Sequence, residues 1–288
     1  LHLASEELSA ELHHHLPYFI WQTWRTMQLL TDKPLIKLRE LFSVLILFAL
    51  VFNPAKADGQ QAAAQPPADL LPILYRAEYQ AKASGLKATA YRTLERLEEH
   101  QFRLSNSMSV SILGATIGEV VERSEFSIHD GSVRPSRYTY EQTGLGRRSE
   151  QVLFDWEEAS AETRNDKKTE NVAIFDGVMD QLSFTAQLSL DLSVLPAEQL
   201  VEDKDFIYQI VDGDEIDEHR YVITGRESIA TPAGAVPTIR LERIRASESR
   251  RTTTFWLAEN QDFLLVRLEQ TDSSGDATEL LLQSVSIL

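Results

Sequence analysis

The densest group of side chains able to do chemistry is the run Asp212-Gly-Asp214-Glu215-Ile-Asp217-Glu218, with Glu202, Asp203 and Asp205 upstream. Oxygen-rich loops bind calcium. The spacing here departs from an EF-hand, and an acidic hairpin turn between strands over 206–211 and 219–224 explains it more simply. Paired carboxylates also serve glycoside hydrolysis, but only at a fixed separation in space. After residue 57 the histidines are His100, His129 and His219. None has a second histidine within metal-ligand spacing, so they read as exposed loop or strand residues. The chain has no cysteine, which removes disulfides, thiolate catalysis and cysteine-ligated metals together. There is no G-x-S-x-G elbow, no Walker loop and no dinucleotide glycine fingerprint. Gly144-Leu-Gly146, followed by Arg147-Arg148, reads as a hairpin tip. No catalytic residue, cofactor or metal is assigned.

The large aromatics are the other candidates. In an alternating strand Phe154 and Trp156 share one face, and Phe255-Trp256 forms a second aromatic pair. Rings placed in this way build a core or line a groove for an apolar ligand. Phe154, Trp156, Phe184 and Trp256 are therefore the candidate ligand or partner surface.

These residues must be held by strands. From Ile73 onward the pattern has period two. Tyr75, Ala77 and Tyr79 alternate with polar neighbours, as do Phe102 and Leu104; Met108, Val110 and Ile112; and Phe126 and Ile128. The same holds for Val152, Phe154 and Trp156; Phe206, Tyr208 and Ile210; and Tyr221 and Ile223. Turn signals separate them at Ser84-Gly85, Asp130-Gly131, Asp212-Gly213, Pro232-Ala233-Gly234 and Ser274-Gly275. Leu94–Glu99 reads as a continued strand in preference to a helix. The polar stretch Glu157–Glu170 reads as a long exposed hairpin loop. Asp180–Leu188 breaks the rhythm: a residue suited to N-capping precedes Phe184 and Leu188 four apart, which fits a short helix. The predicted fold is mainly β: one domain over 73–288, a single curved antiparallel sheet or open half-barrel of about ten strands. The helix over 180–190 lies against its concave side.

Hydrophobic residues make up 43% and charged residues 25%, ordinary for a globular domain. The formal net charge is −16, all of it after residue 57, where the surface would repel nucleic acid and an anionic membrane. The apolar run Leu41–Phe52 follows Lys33, Lys37 and Arg39. After Asn53-Pro54, Ala55-Lys56-Ala57 places small residues before Asp58. This is the pattern of a secretory signal peptide over 27–57, cleaved between Ala57 and Asp58, and the run is too short for a membrane span. Residues 1–26, with His13-His14-His15, Trp21 and Trp24, read as an upstream extension. Residues 58–72 read as a flexible lead-in. Asp58 stands where a lipoprotein needs cysteine, so a soluble periplasmic product without a stable membrane anchor is expected.

The chain also resembles the domain-of-unknown-function 3108 family of exported bacterial proteins. The resemblance runs from Tyr75-Arg-Ala-Glu-Tyr79, through Arg147-Arg148, Phe154-Asp155-Trp156 and Asp180-Gln-Leu-Ser183, to Thr231-Pro-Ala-Gly234, Phe255-Trp-Leu-Ala258 and Leu265-Val-Arg267. Gln181 and Leu265 stand where the family pattern has proline. The resemblance implies an exported, mostly antiparallel β domain and carries over no catalytic residue. The function expected is a non-catalytic periplasmic binding or envelope-assembly protein, holding an apolar ligand or a segment of an envelope protein in an aromatic-lined concavity. The alternative is a carboxylate-dependent envelope enzyme acting on glycan or lipid, which needs two carboxyl groups converging in a cleft, one with a shifted pKa.

Overall fold

The computed structural model describes residues 71–83, 86–112, 115–144, 146–245, 249–273 and 275–288. The extension 1–26, the leader with Ala57 and Asp58, most of the lead-in, the Ser84-Gly85 turn and Ser274 lie outside the described residues.

The chain forms a long meander. Its first strands are β1 (Tyr75–Ala83), β2 (Leu86–Glu98), β3 (Gln101–Ile112), β4 (Ala115–His129) and β5 (Ser132–Gly144). They are followed by β6 (Arg148–Asp155), β7 (Ser160–Asn165) and β8 (Thr169–Ala173). A two-residue strand, β9 (Val178–Met179), leads into helix α1 (Ser183–Val194). Then come β10 (Asp205–Asp212), β11 (Glu215–Thr231), β12 (Gly234–Ile244), β13 (Thr252–Ala258), β14 (Leu265–Thr271) and β15 (Ala277–Ile287). Among the described residues these make one 15-stranded sheet, in the order β8-β7-β6-β5-β4-β3-β2-β1-β15-β14-β13-β12-β11-β10-β9. Pairing of β1 with β15 joins the two ends of the meander at mid-sheet. All pairings are antiparallel except β9 on β10.

A single unclosed antiparallel sheet with one helix is as expected, but there are fifteen strands and not about ten. The polar stretch Glu157–Glu170 is the clearest correction. Ser160–Asn165 is a strand paired on both sides, with β6 and β8. Ala161 and Thr163 face inward and are buried, while Arg164 is exposed. Small and polar inward residues hide the alternation from a search for apolar ones. Elsewhere the turn chemistry acts as read. Asp130 and Gly131 both take positive φ, 49° and 70°, the two-residue hairpin conformation that matches strand twist. At Gly144 a Cβ would lie 2.3 Å from the Ile117 carbonyl oxygen, so only glycine allows β4 and β5 to approach there.

The helix shapes the interior. From Phe184 to Val194 its residues alternate apolar and polar like those of a strand. It is helical because Asp180 holds its start: the carboxylate accepts the Leu182 and Ser183 N–H groups at 2.8 and 2.7 Å. On a helix a step of two residues turns about 200°, so the alternation puts apolar side chains on opposite sides. Leu182, Ala186 and Leu190 join a core cluster with Leu94, Leu104 and Tyr138. Phe184, Leu188 and Leu192 join a second cluster with Tyr208, Tyr221, Leu241 and Phe255. A helix apolar on opposite sides has to be surrounded, and the sheet curls about it. Register shifts at Glu125/Phe126, Ile223/Gly225 and Trp256/Leu257 add the local twist that curling needs.

The ring of Phe184 is fully buried, 5.4 Å from that of Tyr221. Phe184→Ala is expected to lower unfolding stability by about 3–5 kcal/mol. Replacing the exposed Ser193 by alanine should change it by under about 0.5 kcal/mol. Urea denaturation followed by tryptophan fluorescence measures both.

Candidate functional site

Three of the four lengthwise stripes of α1 are engaged by the protein. Besides the two apolar stripes, Gln187 and Asp191 serve the polar side. Gln187 accepts the Val133 N–H at 2.7 Å and donates to the Gly131 carbonyl at 3.0 Å. Asp191 accepts from Gln187 and from the Tyr208 hydroxyl, at 2.7 and 2.8 Å. The remaining stripe, Thr185 and Ser189, faces a hollow.

Across that hollow stands Arg92. Its inward orientation follows from period two along β2, where Ala90 and Leu94 are buried on either side of it in register. Its Nε donates to the Tyr75 hydroxyl at 3.0 Å, Nη1 to Asn106 Oδ1 at 3.0 Å and Nη2 to Thr185 Oγ1 at 2.5 Å. Two cavities meet at this point, each lined by Tyr75, Arg92, Thr185 and Ser189. The larger, about 320 Å³, runs between Leu94, Leu104, Leu190, Leu264, Val285 and Ile287. The smaller, about 50 Å³, runs between Tyr79, Met108, Leu188, Phe255 and Leu268. Mostly apolar walls with a few converging polar groups are the usual make-up of a ligand site.

Behind Arg92 a polar row crosses the inner face, because Arg92, Asn106, Glu122 and Tyr140 are successive cross-strand partners. Glu122 is fully buried. It accepts from Asn106 Nδ2 at 2.9 Å and from the Tyr138 hydroxyl at 2.8 Å. Burial pushes its pKa up to about 7, against the lowering effect of those two donors. Asp180, equally buried, also accepts from Ser124 at 2.6 Å, and burial raises its pKa to about 6. Neither carboxylate lines a cavity.

The four aromatics singled out from the sequence do not meet at one surface. Phe154 and Trp156 stack on each other at 5.8 Å, and Arg134 lies 4.6 Å over the indole, whose N–H is bound to the Pro135 carbonyl. Phe184 is sealed in the core. Trp256 donates to Glu227 at 2.8 Å beneath the Arg267 guanidinium. The cavities are lined by aliphatic side chains together with Tyr75, Tyr79, Tyr91, Phe255 and Phe263, and the larger also by Asn260, Gln261 and Asp262. Arg92, Thr185 and Ser189 were not singled out, although two signals pointed to them. Arg92 sits at an inward position of an alternating strand, and Thr185 and Ser189 are a polar i, i+4 pair on a largely apolar helix.

The acidic run becomes the β10–β11 hairpin, turning at Gly213-Asp214. Asp212 is raised to about 6 by burial and then by the neighbouring Asp217 and Glu150 charges. His100 and His129 are exposed, their rings 5.6 Å apart. His219 is not exposed as expected but 1% accessible, packed edge-on to Phe184. Its neutral form is favoured by burial and by the Arg243 and Arg245 charges. Among the described residues no three His, Asp or Glu side chains are grouped to hold a metal, and no helix is long and apolar enough to cross a membrane.

Residues 74–282 match the family described as Protein of unknown function (DUF3108), and the chain belongs to that family. No curated protein matches it. Among solved structures, a β-barrel-like protein of the domain of unknown function DUF1849 from Brucella abortus is similar. It is 10% identical with a TM-score of 0.48, over 78% of this chain and 100% of that one. A protein with a YmcC-like fold from Bacteroides fragilis is 14% identical with a TM-score of 0.32, over 78% and 100%.

The buried carboxylates set a pH dependence. With folded pKa values near 7 for Glu122 and near 6 for Asp180, above ordinary carboxyl values, these two carboxyls bind more protons in the folded protein than in the unfolded chain between about pH 4 and 7. Their contribution to stability therefore falls as pH rises through that window, while His219, held neutral in the fold, opposes it at the acid end. The denaturation midpoint is expected to be higher at pH 5 than at pH 8. In Glu122→Gln, whose amide can donate to a reoriented Tyr138 hydroxyl, the difference should shrink.

Proposed function

We propose that this member of the DUF3108 family is a non-catalytic binding protein of the bacterial cell envelope. On this reading it holds an apolar ligand between the Thr185–Ser189 side of α1 and the inner face of β1, β2, β14 and β15. The observation that carries the reading is the meeting of two largely apolar cavities at Tyr75, Arg92, Thr185 and Ser189. Leu190, Leu264 and Val285 supply a wall that water solvates poorly. Export rests on the leader sequence over 27–57. Glu122 and Asp180 titrate near neutrality, as a catalytic acid would. Both are fully buried and direct their oxygens at the protein's own donors, so they are read as structural.

Ser189 lines both cavities and is only partly exposed. Ser189→Trp would fill the hollow from the helix side. An environment-sensitive apolar dye is expected to bind the wild-type protein, and the substitution to weaken that binding at least tenfold, with circular dichroism unchanged. Equal dye binding by both proteins would place the ligand elsewhere.

A further inference from the structure

We propose that the ligand is a single-chain amphiphile with a small anionic head, carboxylate or phosphate, whose head is held by Arg92 and whose alkyl chain fills the larger cavity. The inference rests on the binding reading above and narrows it to a chemical class.

Arg92 is the charged side chain common to both cavities. Its three hydrogen-bond partners are all neutral oxygens, on Tyr75, Asn106 and Thr185. Among the described residues it forms no ion pair, unlike Arg103 with Glu125 at 2.7 Å or Arg267 with Glu279 at 2.9 Å. The nearest carboxylate along the polar row, Glu122, is reached only through Asn106. A guanidinium carries one N–H on Nε and a pair on each terminal nitrogen. One N–H on Nη1 and one on Nη2 therefore have no assigned acceptor, and they suit a two-oxygen anion. The three neutral contacts fix the fork in place, so an incoming head would meet an ordered donor. The Tyr75 hydroxyl, which accepts from Arg92, has its own hydrogen to donate to the head, whereas the Thr185 hydroxyl already donates to the Leu182 carbonyl at 2.7 Å.

The walls set the rest of the ligand. Asn260, Gln261 and Asp262 also line the larger cavity, with the Asp262 carboxylate accepting the Ile73 N–H at 3.1 Å. A cation among mostly apolar walls disfavours a plain hydrocarbon, which would leave the charge desolvated and unpaired. It also disfavours a cationic head outright. An apolar cavity of about 150 Å³ accepts benzene. The 320 Å³ here therefore suits one chain on the order of ten carbons and not a pair of long chains.

The test is calorimetric titration of the purified protein at pH 8 with four ligands sharing a ten-carbon chain: decanoate, decyl phosphate, decanol and decyltrimethylammonium. The expected result is that at least one of the two anions binds tenfold or more tightly than decanol, and that the cation is weakest. The anion preferred distinguishes a fatty-acid source from a phosphate headgroup. In Arg92→Gln the anions should fall to the affinity of decanol, while Arg92→Lys keeps part of the preference. If decanol or the cation binds as tightly as both anions, the anionic head is wrong and the apolar binding site stands. If none of the four binds, both readings fall together. Should Arg92→Gln not fold, the comparison of ligands on the wild-type protein still decides.

Discussion

The structure depends on the placement of α1 within the curl of the sheet. A meander of fifteen strands has a very large apolar inner face, and a flat sheet would leave it wet. Only a surrounded helix can use apolar residues on opposite sides, and α1 has them because its sequence alternates. Leu182, Ala186 and Leu190 take one half of the sheet; Phe184, Leu188 and Leu192 take the other. The two halves are thereby held around a common post, while their outer edges, β8 and β9, remain unjoined.

Such an arrangement makes the polar groups inside the curl consequential. Asp180 binds the first N–H groups of the helix and, through Ser124, ties them to β4. Gln187 does the same for the β4–β5 turn. These contacts fix the rotation of the helix about its axis, and that rotation decides which stripe faces the hollow. Had the helix turned by one residue, Thr185 would leave Arg92 and an apolar side chain would take its place. The cavity and its cation are thus set by hydrogen bonds some distance from them. Burial of Glu122 and Asp180, each with neutral donors, keeps the interior short of negative charge at moderately acid pH. It leaves Arg92 without a direct counter-ion.

Much of the β architecture was legible because half-buried strands write their inward face at every second position. The inward residues Phe102, Leu104, Tyr208 and Ile210 lie on the buried side as the alternation required. Legibility failed where the inward residues were small or polar. Ala161 and Thr163 concealed β7, one of the strands missing from the expected count. The large rings chosen as candidates are spread over separate places. Trp156 and Trp256 are held by Pro135 and Glu227 and by arginines stacked on them, whereas the hollow is walled mostly by aliphatic residues that look like any other core.

The sequence by itself determined a meander of antiparallel strands, one helix near residue 180, and family membership. These follow from local alternation, turn chemistry and ordered motifs, all of which are written in neighbouring residues. Only the tertiary structure decided that β1 pairs with β15, that the sheet curls around the helix, and that Arg92 meets Thr185 across 93 positions of chain. No local pattern encodes such a meeting. It results from the register of each strand pair and the rotation of the helix, set together when the interior packs.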